Sequence, residues 1–149
     1  MSGANLSDFA DKVTELMMVI SKEFFNHKTG EFYKTKVTIP QYVVMEILYK
    51  SGEPRMTDLA NSIKVTTAAM TGIVERLVRD GYVERSNDLK DRRSIRVRLT
   101  LKGDRVVKAI LKERKEITSK IFSVISQKER EEYLRILMHI RDHIVDGNH

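Results

Sequence analysis

Val65-Thr66-Thr67-Ala68-Ala69-Met70-Thr71-Gly72-Ile73-Val74-Glu75-Arg76-Leu77 is an amphipathic run that continues to Asp80. Successive side chains of a helix lie ~100° apart. Met70, Ile73, Val74 and Leu77 therefore fall on one side, and Ala68, Gly72, Glu75 and Arg79 on the other. A shorter amphipathic segment, 57–63, precedes this helix across a tight connection at Lys64 and Val65, which is the sequence form of a helix-turn-helix. Thr57 is read as the cap of the shorter helix, with Leu59, Ala60 and Ile63 pointing inward. Gly81 then ends the longer helix.

A basic hairpin follows directly. Its first arm is Tyr82-Val83-Glu84-Arg85, its tip the polar run 86–93, and its second arm Ile95-Arg96-Val97-Arg98-Leu99. Helix, turn, helix and ribbon together read as a winged helix. The helix from Thr66 is small on its outward face, where Ala68 and Gly72 sit beside the hydroxyls of Thr67 and Thr71. Such a face can sink into a major groove and touch base edges or thymine methyls. A mid-helix glycine costs ~1 kcal/mol relative to alanine, so Gly72 is read as a point of close approach, with tolerated drift as the competing reading. Arg76 and Arg79 suit phosphate contacts, or serve as helix-end cations near the C-terminal dipole. Arg96 and Arg98 alternate with Val97 and Leu99, so both are expected to face away from the core and to extend the phosphate contacts.

The charge distribution agrees. The 149 residues carry a formal net charge of +6, and residues 54–103 hold eleven Lys or Arg against six Asp or Glu. The remainder, sixteen against fifteen, is almost neutral. A basic balance confined to the helix-turn-helix and its ribbon is the footprint of a polyanion-binding surface.

On either side lie amphipathic helices. Leu6, Phe9, Ala10, Val13, Leu16, Met17, Ile20 and Phe24 are at helical spacing in a first helix expected from 6 to about 28. Residues 29–37 read as a polar connection. Thr38 and Pro40 open a second helix with an apolar face of Ile39, Tyr42, Val43, Ile47 and Leu48, stopped by Ser51-Gly52. After Gly103 a long helix is expected to about residue 125. Ser126 and Glu129 form a capping box for a last helix striped by Tyr133, Leu134, Leu137, Ile140 and Ile144. These terminal helices carry more apolar surface than one small subunit absorbs, which points to a homodimer. The expectation is one mainly α domain over 1–149 with a small β-wing: a lobe at 38–102 and dimerisation helices at 6–37 and 103–146. No apolar run has membrane-spanning length and no signal segment opens the chain, so a cytoplasmic protein is expected.

The ordered set, Val65 to Leu77, then Gly81-Tyr82-Val83-Glu84-Arg85, Asp91-Arg92-Arg93-Ser94, Leu99-Thr100 and Gly103, resembles the MarR family of winged helix-turn-helix transcription regulators. The resemblance covers nearly the whole chain. It implies sequence-specific binding of double-stranded DNA by a homodimer, as a repressor on a pseudo-palindromic operator. Thr66, Thr67, Ala68, Thr71, Gly72, Arg76 and Arg79 then belong to the recognition helix, and Lys90, Asp91, Arg92, Arg93 and Arg96 to the wing. Arg93 is implied as the minor-groove arginine, Asp91 as the anchor of its guanidinium, and Arg92 as a backbone contact. The family often carries a longer polar residue where this chain has Gly72, which leaves Thr67, Ala68 and Thr71 as the better candidates for base readout. A small aromatic or phenolic effector is also implied, with Phe24, His27, Tyr42, Met45 and Tyr49 as its candidate pocket; each also reads as ordinary core.

Other chemistry has little support. No phosphate-cradling glycine loop, nucleophile elbow or metalloprotease spacing is present, so no catalytic residue, cofactor or metal site is assigned. His139 and His143 are four apart on a helix but lack a clear third ligand. Zero cysteines exclude disulfides and thiol redox sensing. The alternative to DNA binding is a winged helix acting as a protein-interaction module, its basic tip meeting an acidic partner.

Overall fold

The computed structural model describes residues 5–25 and 30–146, the side chains of residues 24 and 25 excepted. The order of elements is α1 (Leu6–Phe25), α2 (Glu31–Lys34), α3 (Ile39–Ser51), α4 (Met56–Ser62), α5 (Thr67–Arg79), β1 (Val83–Asn87), β2 (Ile95–Leu99), α6 (Leu101–Phe122) and α7 (Gln127–Asp146). The chain divides into two compact units, Met1–Glu113 and Arg114–His149, the boundary falling within α6. No helix among the described residues is long and apolar enough to cross a membrane.

The first unit holds the winged helix. Its α3 opens on a reciprocal cap: the Gln41 N–H donates to Thr38 Oγ1, while the Thr38 N–H donates to Gln41 Oε1 at 2.8 Å. It stops at Gly52, whose φ of 80° suits glycine. The buried side of α3 differs from the expected one. Gln41, Tyr42, Val44, Met45 and Leu48 face inward, whereas Ile39 and Val43 are exposed. Gln41 can be buried because its carboxamide is spent on the cap.

Helix α4 begins one residue earlier than expected, at Met56, and Thr57 does not cap it. Its N-cap, Arg55, makes no side-chain cap, because a guanidinium has donors and no acceptor for a helix N–H; the residue instead bridges to Arg96 of β2. Met56, Leu59 and Ala60 are buried. The turn into α5 uses Lys64 at φ 54°, with Lys64 N–H on Asn61 O and Val65 N–H on Ala60 O, both at 3.1 Å. This is the double bond of a Schellman motif with lysine in the usual glycine place. Thr66 caps α5 by accepting the Ala69 N–H, and Gly81, at φ 76°, closes it with the same motif.

The two strands pair antiparallel from Val83↔Leu99 to Asn87↔Ile95, so the ladder runs two residues further into the expected tip. On its other edge β2 donates a bond to the entry to α4, from Val97 N–H to Pro54 O at 3.1 Å. The long helix does not wait for Gly103. It starts at Leu101, and Thr100 Oγ1 accepts the Gly103 N–H. Val107 and Ile110 of α6 join Met45, Leu48, Leu59, Met70, Val74, Leu77, Val83 and Val97 in one core. The lobe therefore takes the first turns of α6 into its own interior.

The connection after α1 contains a helix the sequence reading misses. Gly30 precedes α2 without a side-chain cap, and the Glu31 N–H is instead taken by the Glu113 carboxylate at 2.8 Å. Residues 26–28, expected to continue α1, lie outside the described residues.

In the second unit the capping box at Ser126 and Glu129 is present, each residue's backbone N–H donating to the other's side chain. The Phe122 and Tyr133 rings lie 5.3 Å apart. Tyr133, Leu134, Leu137, Ile140 and Ile144 of α7 are all exposed.

Candidate nucleic-acid interface

Helix α5 turns Met70, Val74 and Leu77 into the core, and so must present Thr67, Ala68, Glu75, Arg76 and Arg79 outward. Thr71, Gly72 and Ile73 are half-buried at the border. A Cβ built on Gly72 meets nothing within 4 Å, so no packing demand explains that glycine. The hydroxyls are less available than the sequence implies. Thr71 donates its proton to Thr67 O at 2.8 Å, which leaves an acceptor lone pair and a methyl group for a ligand. Thr66 accepts the Ala69 N–H and keeps its own proton free for donation.

At the wing, Leu89, Lys90, Asp91, Arg92 and Arg93 are exposed around a short turn. Asp91 does not hold the Arg93 guanidinium. Its Oδ1 accepts the Arg93 backbone N–H at 3.0 Å, and its carbonyl accepts the Ser94 N–H, so the aspartate shapes the turn and leaves the arginine side chain to reach outward.

Arg96 also departs from expectation. Rather than pointing to solvent, it donates from Nε to Asp88 Oδ2 at 2.7 Å and from Nη1 to Glu53 O at 2.8 Å. Arg98 remains outside, paired with Glu84. The residue missed from sequence is Asp88, which is only 3% exposed. Oδ1 accepts the Lys90 N–H at 2.8 Å, and Oδ2 also takes Arg55 Nε at 3.4 Å. The Lys90 N–H, with Arg96 beside it, outweighs burial and holds this carboxyl down at about 2. Alternation puts Ser86, Arg96 and Arg98 on one face, and Asp88 follows Ser86 by two positions just beyond β1. What alternation lacks is the third partner, segment 53–55, which runs along the free edge of β2 and brings Glu53 O and the Arg55 side chain to that face.

Of the five candidate effector residues, Tyr42 and Met45 belong to the lobe's core, Tyr42 edge-on to Phe32 at 6.0 Å. Tyr49 is 39% exposed, with the Lys108 ammonium 6.0 Å from its ring centroid. The Phe24 side chain and His27 lie outside what the structure describes.

Residues 37–95 match the model of the MarR family. The chain is 26% identical to the uncharacterised HTH-type transcriptional regulator YsmB of Bacillus subtilis over 105 residues, which are 70% of this chain and 72% of that one. It is 31% identical to the HTH-type transcriptional repressor MdtR of the same organism over 96 residues, 64% of this chain and 62% of that one. Among solved structures, FabT of Streptococcus pneumoniae, crystallised in complex with DNA, matches with a TM-score of 0.79 at 21% identity, covering 95% of this chain and 99% of that one.

Proposed function

Through its winged-helix domain the chain belongs to the MarR family of transcription regulators, and on that premise we propose that it is a repressor acting as a homodimer on a pseudo-palindromic operator. The observation that carries the DNA-binding part is the joint exposure, on one unit, of the small outward face of α5 and the Arg92-Arg93 tip of the hairpin. Helix α5 enters the major groove, where Thr67, Ala68 and Thr71 meet base edges. Arg93 enters the adjacent minor groove, and Arg76, Arg79, Lys90 and Arg92 meet phosphates. Relatives named as repressors support the sign of regulation.

Dimerisation is supported by the exposed apolar side chains of α1, Leu6, Phe9, Met17 and Met18 among them, and separately by those of α7. Two copies related by a two-fold axis place their recognition helices in successive major grooves about 34 Å apart. A small aromatic effector acts on such a dimer only through its different affinities for two spacings of those helices. Its presence is tested by a thermal-shift screen.

Gel shifts with the DNA upstream of the protein's own gene test the central claim. Arg93→Ala is expected to weaken specific binding by about 1–3 kcal/mol without lowering the unfolding temperature, and Thr71→Val to change sequence preference. Unchanged affinity in the Arg93 variant would speak for the protein-interaction reading instead.

A further inference from the structure

A two-stranded ribbon is marginal on its own, so something besides the ladder must set its angle to the helix-turn-helix. The turn at Asp91, whose bonds to the Arg93 and Ser94 N–H groups stay within the tip, sets no such angle. The ties that leave the hairpin for the entry to α4 converge on the end of the ladder next to the tip. Arg96 reaches Glu53 O, Ser86 donates to Glu53 Oε1 at 2.9 Å, and Arg55 and Arg96 share the buried Asp88 carboxylate. Asp88 links three parts at once: the tip through the Lys90 N–H, β2 through Arg96, and the start of α4 through Arg55.

We propose that Asp88 is a positioning residue for duplex DNA: it locks the wing to the segment entering the helix-turn-helix, so that Arg92 and Arg93 are in reach when α5 is seated. This rests on the DNA-binding reading above. Charge alone argues the other way, because a carboxylate close to a polyanion site opposes binding. The clamp and the bare charge therefore make opposite predictions. Removing the charge strengthens binding if Asp88 is only an anion, and weakens it if Asp88 holds the wing. The group is anionic at any pH near neutrality, since the Lys90 N–H and Arg96 hold its carboxyl at about 2.

The test uses the full-length protein and a duplex selected from a random pool by the wild type. Asp88→Asn keeps an acceptor for the Lys90 N–H and frees both arginines. Arg96→Lys keeps the charge but loses the planar fork that spans Asp88 and Glu53 O. Both variants are expected to bind roughly tenfold more weakly, with a shallower dependence of affinity on salt as wing-to-phosphate contacts drop out. In the absence of DNA, trypsin is expected to cut Asp88→Asn at Arg92 or Arg93 faster than wild type, at equal circular dichroism. Binding as tight as wild type or tighter, or a steeper salt dependence, overturns the proposal, as does unchanged cleavage. If the wild type selects no duplex at all, the DNA-binding reading fails, while the cleavage assay still decides whether Asp88 clamps the wing.

Discussion

Gly103 has no room for a side chain: a Cβ there overlaps the carbonyl oxygen of Tyr82, itself the acceptor for the Thr100 N–H. Thr100 works from both ends at this corner, donating its hydroxyl to Gly81 O at 2.6 Å and accepting the Gly103 N–H. The close approach of α6 to the start of the wing is thus made of one glycine and one threonine. Gly103→Ala is expected to lower the stability of the lobe by about 1–3 kcal/mol, read as a reduced urea midpoint with an unchanged slope. From sequence the same glycine reads as a break before a helix. Only the position of the Tyr82 carbonyl reveals that it lies inside the first turn.

The recognition helix shows the opposite case at the scale of an element. Its extent, most of its buried face and its C-terminal glycine are legible, because each depends on residues within one turn of it: a start at Thr66, which proves to be the cap, Met70, Val74 and Leu77 as face, with Ile73 only half-buried, and Gly81 as stop. Gly72 is the exception, since helix formation does not need it and no neighbour requires it. Gly72→Ala is therefore expected to raise stability by about 1 kcal/mol, measured by chemical unfolding. Weaker operator binding in the same variant would show that the backbone itself approaches the bases, and unaltered binding would dispose of that role. Helix α2 was not legible, because its first N–H is capped by Glu113, 82 residues away in sequence. An acceptor so distant leaves no local pattern.

For the whole molecule, the proposed homodimer requires two wings held at one separation. Helix α7 buries no residue in the chain by itself, and its apolar side chains Leu137 and Ile140 are 44% and 48% exposed. Replacing both by glutamate is expected to leave the helical signal in circular dichroism intact while converting the protein to a monomer in sedimentation equilibrium. Operator affinity should fall with it, because the two half-sites no longer act together. A double variant that sediments as the wild type does would remove α7 from the interface. Binding by the intact protein should weaken steeply with salt, since the contacts proposed for Arg76, Arg79, Lys90 and Arg92 are to phosphates.

Sequence alone determined the helix-turn-helix, the hairpin and the basic balance that accompanies them. Those depend on period, caps and turn residues, which act over a few positions and can be read from a few positions. The tertiary structure decided which charged side chains are free to meet DNA. Arg96 looks like an outward cation by alternation, yet it is drawn in by a buried carboxylate and by a carbonyl from a segment 43 residues away. Asp91 looks like a partner for the Arg93 guanidinium but is spent on the backbone of its own turn. Alternation tells which way a side chain leaves its strand, and only the placement of another segment beside that strand decides what it meets.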